Sequence, residues 1–236
     1  MKFQALASSS HGNAYIVDDG ATRILIECGI SFKRLQQLSG FQLADVSACF
    51  ISHEHKDHAR SYRELLKSGV EVYTSAGTAA ALECEQITVI EEREAVVIGT
   101  LEVMPFRVFH DAAEPFGFLV RSHEDGGKLA FATDTVNLRY QFPGVTILAV
   151  ECNYAASIID RCDRMPEKVR RRIKNSHMEV SRLCRWISGL DLSACREIHL
   201  LHLSDACSSE FDFVRMVQRC VPAGVKVSAC PKVSEV

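Results

Sequence analysis

Four potential metal ligands lie within the six consecutive residues His53-Glu54-His55-Lys56-Asp57-His58. They directly follow the apolar segment 48–52, which has the composition of a buried strand. Imidazole and carboxylate groups suit zinc, manganese or iron, and a strand that ends in a loop can direct alternate side chains into one cavity. A lone histidine is more often an ordinary core or surface residue, but three histidines and an aspartate packed together are unfavourable unless a cation compensates them. The spacing therefore predicts a metal site.

The elements that must position these groups alternate along the chain. Short β-branched runs predict strands at residues 14–17, 23–27, 48–51, 71–73, 87–90, 95–98, 101–109, 116–121, 128–132, 145–150, 197–201 and 226–228. Helical spacing predicts helices at residues 31–38, 59–67, 77–82, 166–174, 179–188 and 210–220. Because each half of the chain has strands and closes with helices, we expect an α/β fold of four layers, an αβ/βα sandwich. Residues 1–236 are expected to form a single domain.

Composition narrows the class of protein. The 236 residues are 47% hydrophobic and 24% charged, which is typical of a globular domain with a sizeable core. The net charge of -3 gives no global sign of nucleic-acid binding, so any anion site must be local. A secretion signal and a long apolar run are both missing from the sequence, which predicts a cytoplasmic protein with no membrane partner. The ten scattered cysteines are expected to be reduced core residues.

The pattern HxHxDH is the signature of the metallo-β-lactamase superfamily, which this sequence resembles along nearly its whole length. Later motifs agree in order, since three further predicted strands end at His110, at Thr133-Asp134 and at His202. The resemblance implies two divalent transition-metal ions, zinc or manganese, with iron as a further candidate. By this resemblance the first ion would be held by His53, His55 and His110. The second ion would be held by Asp57, His58 and His202, and Asp134 would bridge the two ions.

Two features of the superfamily bear on the chemistry. Flavo-diiron oxidoreductases of the superfamily carry Glu where His55 stands, so the resemblance favours hydrolysis over redox chemistry. The aspartate of the usual first motif is replaced by Glu27, in Leu25-Ile26-Glu27-Cys28-Gly29. Glu27 could orient a ligand histidine or a bound water, or it could be a strand-end residue that faces solvent.

Three further segments resemble the YycJ/WalJ group of bacterial single-domain exonucleases. They are residues 6–13, residues 110–116, and Glu151-Cys152-Asn153 with the later His177 and Leu201-His202-Leu203-Ser204. The sequence departs from that group at His11, usually a small residue, and at Tyr154, usually a histidine. The loop around His11 could approach a substrate through backbone N–H groups and hydroxyls, or it could be an ordinary tight turn. The expected substrate contacts are Ser10, Asn13, Asn153 and Arg171.

A candidate proton donor and a basic run lie in the second half of the sequence. In tRNA 3′-processing endonucleases of the superfamily, a non-ligand histidine precedes the helix that leads to the last ligand strand. By this resemblance His177 would protonate the leaving group, although a histidine near a helix start can also be a cap or a surface residue. The basic residues before it either contact substrate phosphates or form a solvated helix face; they are Arg161, Arg164, Lys168, Arg170, Arg171, Arg172 and Lys174.

Together these features predict a phosphodiesterase that acts on ends of DNA or RNA, with Asp57, Asp134 and His177 as catalytic residues. Two ions would lower the pKa of a shared water towards neutrality, and the resulting hydroxide would attack phosphorus. One alternative keeps the metals and changes the substrate to a thioester, a lactone or a small cyclic phosphodiester. Another alternative is an interaction module with structural metals. It is disfavoured because structural zinc sites are closed sets of four Cys or His ligands.

Overall fold

The computed structural model describes residues 1–163 and 165–232. The described chain divides into two units. The first unit comprises residues 1–107, 112–128 and 231–232, and the second comprises residues 108–111, 129–163 and 165–230. No helix within the described ranges is long and apolar enough to cross a lipid bilayer.

The first unit contains a six-stranded mixed sheet with the order β1-β2-β3-β4-β5-β6. Strands β1 to β3 pair antiparallel, and β3 to β6 pair parallel. Strands β3 and β4 are almost entirely buried, as expected for parallel strands that are covered on both faces. The strands of this sheet are β1 (Lys2–Ser9), β2 (Gly12–Asp18), β3 (Arg23–Ile26), β4 (Ala48–Phe50), β5 (Glu71–Thr74) and β6 (Thr88–Val89).

Three more strands of the first unit form an antiparallel meander: β7 (Val96–Ile98), β8 (Leu101–Arg107) and β9 (Phe116–Ser122). The meander packs on the six-stranded sheet through aromatic side chains. The rings of Phe50 and Phe118 meet edge to face at 5.7 Å, an arrangement that contributes about 0.5–1.5 kcal/mol beyond the buried area. The N–H group of Phe116 also donates to the carbonyl of Ser52 at 3.0 Å, close to the start of the histidine motif.

Helices cover the six-stranded sheet. They are α1 (Phe32–Leu38), α2 (Lys56–Ala59), α3 (Tyr62–Lys67) and α4 (Ala76–Ala81), with a 3-10 turn at Leu43–Asp45. Leu35 of α1 and Leu65 of α3 are fully buried in one apolar cluster with Leu25, Cys49 and Val72 of the sheet. This packing supports the strand ends from which the histidine motif extends.

The second unit is built on parallel strands in the order β10-β11-β12-β13. They are β10 (Lys128–Ala132, with Lys128 at the boundary), β11 (Ile147–Glu151), β12 (Glu197–Leu201) and β13 (Lys226–Ala229). The helices are α5 (Ala156–Ile159), α6 (Glu167–Ser176), α7 (Val180–Ile187) and α8 (Glu210–Gln218). Side chains of Glu179 and Ser209 cap α7 and α8 by accepting backbone N–H groups, which fixes where these helices begin.

Most predicted elements are present within a few residues of their expected bounds, and three predictions need correction. Strand β1 was not predicted, because its serine-rich end has the composition of a loop. Ser8 and Ser9 are nevertheless each only 1% exposed. The single helix expected at 59–67 is wrong, since α2 and α3 are separate helices. The short helix α5 was also missed. The cysteines form no disulfide in the described chain, and six of the ten are buried.

Candidate metal centre

The histidine motif begins directly after β4, where the chain leaves the sheet. His53 is 1% exposed, and its Nδ1 atom lies 2.8 Å from the Ser52 hydroxyl. Its Nε2 atom lies 3.0 Å from Nδ1 of His55, with the ring centroids 4.6 Å apart and nearly perpendicular. Ring nitrogens of two histidines therefore converge at one point, as they do where imidazoles share a cation.

The last two residues of the motif lie on the four-residue helix α2. His58 is fully buried, and its ring centroid is 4.2 Å from that of His53. Its Nε2 atom is 3.4 Å from the Asp57 carboxylate, and its Nδ1 atom is 3.6 Å from Glu27. The Asp57 side chain is 26% exposed, so solvent or substrate can reach its carboxylate.

Glu27 is completely buried behind the motif, so the solvent-facing alternative is wrong. Its carboxylate accepts the backbone N–H of Ser52 at 3.3 and 3.4 Å. Burial raises the pKa of Glu27, while His58 and Ser52 oppose the rise. Its backbone lies at a φ of 64°, in the left-handed region that is unfavourable for a residue with a long side chain. This conformation turns the chain at the end of β3 and points the carboxylate at His58.

A second group of acids and histidines lies at one edge of the parallel strands in the second unit. Asp134 follows β10, Glu151 ends β11 and His202 follows β12, so neighbouring strands bring these residues to the same sheet edge. With His177 they form a set whose ligand atoms all lie within 4.8 Å of one another. The sequence motifs named Asp134, His177 and His202 but assigned no role to Glu151.

Asp134 and His202 are in direct contact. Nδ1 of His202 is hydrogen-bonded to Oδ1 of Asp134, which also accepts the Thr133 hydroxyl at 2.9 Å. Both residues have positive φ values, 43° for Asp134 and 53° for His202. Residues other than glycine rarely adopt this conformation, and where they do, the strain often belongs to a functional site.

Glu151 and His177 form a buried acid–base pair. Oε1 of Glu151 lies 2.6 Å from Nδ1 of His177, while Oε2 accepts the N–H groups of Thr135 at 2.7 Å and of Met178 at 3.1 Å. Burial alone would lower the pKa of His177, but the nearby carboxylates, above all Glu151, raise it to about 9. Its side chain is 14% exposed, against 3% or less for Asp134, Glu151 and His202.

His110 lies in the second unit beside this group. Its Nδ1 atom is 2.9 Å from the carbonyl of Ser176, at the end of α6. Its Nε2 atom is 3.5 Å from Oδ2 of Asp134 and 3.3 Å from Oδ1 of Asp111. Nδ1 can therefore donate to the Ser176 carbonyl, which leaves Nε2 facing the two carboxylates. A ligand histidine is usually held in this way, by a bond from its other ring nitrogen to a backbone carbonyl.

The candidate substrate residues divide by exposure. Ser10 and Arg171 are exposed and remain candidates for substrate contact. Asn13 and Asn153 are 0% and 5% exposed, so neither amide is available to a substrate in this conformation. Asn153 instead donates from Nδ2 to the carbonyl of His202 at 2.8 Å, which helps to hold that strained residue. Sequence reasoning placed these residues in the site but could not distinguish a contacting role from a supporting one.

The basic run before His177 is only partly available to a ligand. Arg172 donates to Asp111 at 2.7 Å, and Lys174 pairs with Asp160. Lys168 and Arg171 are exposed on α6, whereas Arg164 lies outside the described residues. Arg161 is also exposed and Arg170 is half-buried, so acidic neighbours compete with a phosphate for two of the six described basic residues of the run.

The residues present fit a divalent transition metal. Imidazole nitrogens and carboxylate oxygens are ligands that zinc, manganese and iron accept. Asp134 and Glu151 are both buried in the second unit, and two adjacent buried carboxylates need positive charge nearby to remain ionised. Tyr154, the position at which the sequence departs from the exonuclease group that it resembles, is 3% exposed and packs with Ile159 and Cys207 in an apolar cluster. A tyrosine there replaces a polar ring by core packing.

Comparison with known proteins identifies the family of this chain. The model of the beta-lactamase superfamily domain matches residues 22–201. An exodeoxyribonuclease, YycJ of Bacillus anthracis, is 29% identical over 224 residues that cover 86% of this chain and 83% of that protein. WalJ of Streptococcus pneumoniae serotype 2, also an exodeoxyribonuclease, is 26% identical and covers 67% of this chain and 64% of its own length.

A solved structure extends the comparison to the fold. The metallo-beta-lactamase fold protein YhfI from Bacillus subtilis has a TM-score of 0.69 and 14% identity, covering 97% of this chain and 95% of that one. This similarity confirms the predicted α/β class and the metallo-β-lactamase fold. With the family match over residues 22–201, it establishes that this chain belongs to the metallo-β-lactamase superfamily of hydrolases.

Proposed function

We propose that this chain is a dinuclear-metal-dependent phosphodiesterase that removes nucleotides from an end of DNA or RNA. The ligand set is the one that the family resemblance implies from the histidine motif, His110, Asp134 and His202. The observation that carries the proposal is the Glu151–His177 pair, because a proton donor of this kind serves a reaction whose leaving group is a poor one. Relatives named as exodeoxyribonucleases support the nucleic-acid substrate.

When bound, the two ions supply an activated water as nucleophile and stabilise negative charge on the phosphate oxygens. The remaining tasks belong to the chain. Asp57, whose side chain is 26% exposed, can accept a proton from the attacking water. Asp134 and His202 are held by their mutual hydrogen bond, so their ligand atoms need little reorganisation when substrate binds.

His177 acts on the leaving group. As water oxygen bonds to phosphorus, the bond from phosphorus to the departing sugar oxygen breaks, and that oxygen takes a proton from Nε2 of His177. Glu151 holds the imidazolium through Nδ1 at 2.6 Å and so fixes which nitrogen faces the substrate. Burial lowers the pKa of His177, but the nearby carboxylates, above all Glu151, raise it to about 9, which favours the protonated ring.

Each unit has exposed residues that are candidates for contact with a substrate. Lys168 and Arg171 on α6 are exposed cations in a chain of net charge -3, and His177 directly follows that helix. Ser10 is exposed at the turn between β1 and β2, where its hydroxyl and backbone could meet a phosphate or sugar. Such contacts would favour a polyanion over a small ester.

The experiment that tests the proposal is a reconstitution assay. Metal-free protein is loaded separately with zinc and manganese, then offered end-labelled DNA and RNA beside a thioester, a lactone, a cyclic phosphodiester and a chromogenic phosphodiester. We expect metal-dependent shortening of a polynucleotide from one end, abolished by a chelator. Turnover of the thioester, the lactone or the cyclic phosphodiester, with no attack on nucleic acid, would replace the proposal with the small-substrate alternative.

A further inference from the structure

Asn13 lies at the start of β2 in the first unit, and its buried carboxamide contacts the histidine motif. The Nδ2 atom is 3.1 Å from the carbonyl of Ser9, 3.1 Å from the carbonyl of Asp57 and 3.2 Å from Nε2 of His58. The side chain is 0% exposed. Asn13 therefore contacts two of the residues proposed as metal ligands without being accessible to substrate.

The two hydrogens on the carboxamide nitrogen limit which contacts of Asn13 can be donated hydrogen bonds. Nδ2 carries two hydrogens, and carbonyl oxygens can only accept. Donation to Ser9 and Asp57 uses both hydrogens, so the contact with the His58 ring requires none from Asn13. The amide thus ties the β1–β2 hairpin to the backbone of α2 and leaves the His58 ring to be oriented by its other neighbours.

Tyr15 determines which way the carboxamide faces. Its hydroxyl donates to Oδ1 of Asn13 at 3.0 Å. In this arrangement Ser8, whose hydroxyl is 2.8 Å from that of Tyr15, must be the donor to tyrosine. A flipped amide would place Oδ1 against the carbonyl oxygens of Ser9 and Asp57. The chain from Ser8 through Tyr15 to Asn13 is at most 1% exposed at each residue, so water cannot easily substitute for a lost member.

The segment after β3 also contacts the backbone of α2 and of Asn13. The N–H of Cys28 donates to the carbonyl of His58 at 2.8 Å, and the N–H of Gly29 donates to the carbonyl of Asn13 at 2.8 Å. A Cβ atom on Gly29 would lie 1.6 Å from the carbonyl oxygen of Asp57, so only glycine permits this approach. The carbonyls of Asp57 and His58 are both fixed by neighbours outside their own helix.

Helix α2 needs this support. It has four residues, and its N-cap residue His55 makes no side-chain capping bond. A single helical turn is unstable on its own, because most of the cost of nucleation is not recovered over so few residues. The orientation of Asp57 and His58 must therefore come from the contacts around the helix.

We propose that Asn13 is a positioning residue for the Asp57–His58 pair, and that Tyr15 and Ser8 fix the direction of its carboxamide. This inference rests on the proposed function only in taking Asp57 and His58 as ligands of one metal ion. It replaces the substrate-binding role that the sequence suggested for Asn13.

The test compares metal affinity in folded variants. Asn13→Ala removes the amide, while Tyr15→Phe removes one hydroxyl and keeps the ring that stacks on Phe3 at 5.6 Å. Tyr73→Phe is the matched control, because Tyr73 is a buried tyrosine of the same unit whose hydroxyl bonds to Glu71 instead. Zinc and manganese binding are titrated against a competing chelator, and circular dichroism establishes that each variant is folded.

We expect Asn13→Ala to lower the affinity for one of the two ions by about 10–100-fold and to leave the affinity for the other unchanged, as for other residues that orient ligands. Tyr15→Phe should weaken the same ion by a smaller factor, and Tyr73→Phe should match the wild type. Wild-type affinity for both ions in folded Tyr15→Phe and Asn13→Ala would overturn the inference. If Asn13→Ala does not fold, Tyr15→Phe decides alone. A wild type that binds two ions but cleaves no nucleic acid would refute the proposed function and leave this test intact.

Discussion

The two units present their candidate ligands in different ways. In the first unit His53, His55, Asp57 and His58 lie on one short segment, and a single buried carboxylate, Glu27, stands behind them. In the second unit the corresponding group is assembled from three strand ends and the end of a helix. The first arrangement is recognisable from spacing, whereas the second exists only once parallel strands are paired.

The units also differ in charge. The motif of the first unit is rich in histidine, and the pKa of its buried Glu27 is raised by burial. In the second unit Asp134 and Glu151 are both buried, and their charge raises the pKa of His177 to about 9, although burial opposes this. The histidine-rich motif of the first unit is suited to holding metal, and the acidic group of the second unit can in addition hold a proton on His177.

The largest expected effect is on metal content, which should differ between a variant of the second unit and a variant of the first. Asp134→Ala should lose most of both ions, since Asp134 is the proposed bridge, whereas Asp57→Ala should keep about one. Both should reduce cleavage of DNA or RNA by several orders of magnitude, because each removes part of a catalytic contribution of several kcal/mol. Elemental analysis of reconstituted protein and steady-state rates are the measurements, with the exposed Asp163→Ala as control. Two ions in Asp57→Ala, or activity within about threefold of wild type, contradicts the assignment.

A smaller effect is expected when the proton donor is removed. His177→Ala should slow polynucleotide cleavage by about 10²–10⁴-fold, the usual contribution of general acid catalysis. Hydrolysis of a nitrophenyl phosphodiester should change little, because its leaving group needs no protonation. Glu151→Gln should show the same selectivity with a smaller loss, since it keeps the shape of the side chain and removes the charge that holds His177.

His199 offers a matched control for this experiment. It lies on β12 of the same unit, and its Nε2 atom is 3.0 Å from the carboxylate of Glu197. Burial lowers the pKa of His199 despite that carboxylate, the opposite of the shift at His177. His199→Ala should leave both substrates unaffected. Equal losses on both substrates in His177→Ala would show that this histidine supports the site and does not donate a proton.

The smallest effect concerns the exposed cations of α6. Replacing Lys168 and Arg171 with Gln should weaken polynucleotide binding and flatten its salt dependence by roughly 0.7–0.9 per lost phosphate contact on a log–log plot. Lys33→Gln with Arg34→Gln removes the same charge from α1 of the first unit and should leave the slope unchanged. A wild-type slope in the α6 variant would identify those residues as a solvated helix face.

Sequence reasoning predicted the histidine motif well because the information is local. His53 to His58 follow a recognisable strand within six residues, and no long-range contact is needed to see them. The same reasoning missed strand β1 and predicted one helix where α2 and α3 are separate, because serines that are buried by hydrogen bonding look like loop residues and a four-residue helix has no period. Glu151 carried one signal, an acid at the end of an apolar run, but many strand ends share it.

The buried asparagines show the limit most clearly. Asn13 and Asn153 stand in segments that resemble an exonuclease group, and the sequence alone could only suggest that they touch substrate. Their burial and their bonds to the carbonyls of Asp57 and His202 place them in contact with candidate ligands and away from solvent. The sequence gives the residue type and its number, and these are the same whether the amide binds backbone or substrate.

The sequence by itself determined the superfamily, the α/β class and the order of the candidate ligands along the chain, since these depend on residue type, local spacing and strand-forming composition. Only the tertiary structure decided that Glu27 is buried, that Glu151 contacts His177, and that the buried Asn13 amide donates to the carbonyl of Asp57. These properties depend on strand pairing and burial. Both arise from contacts between residues far apart in sequence, which local patterns do not contain.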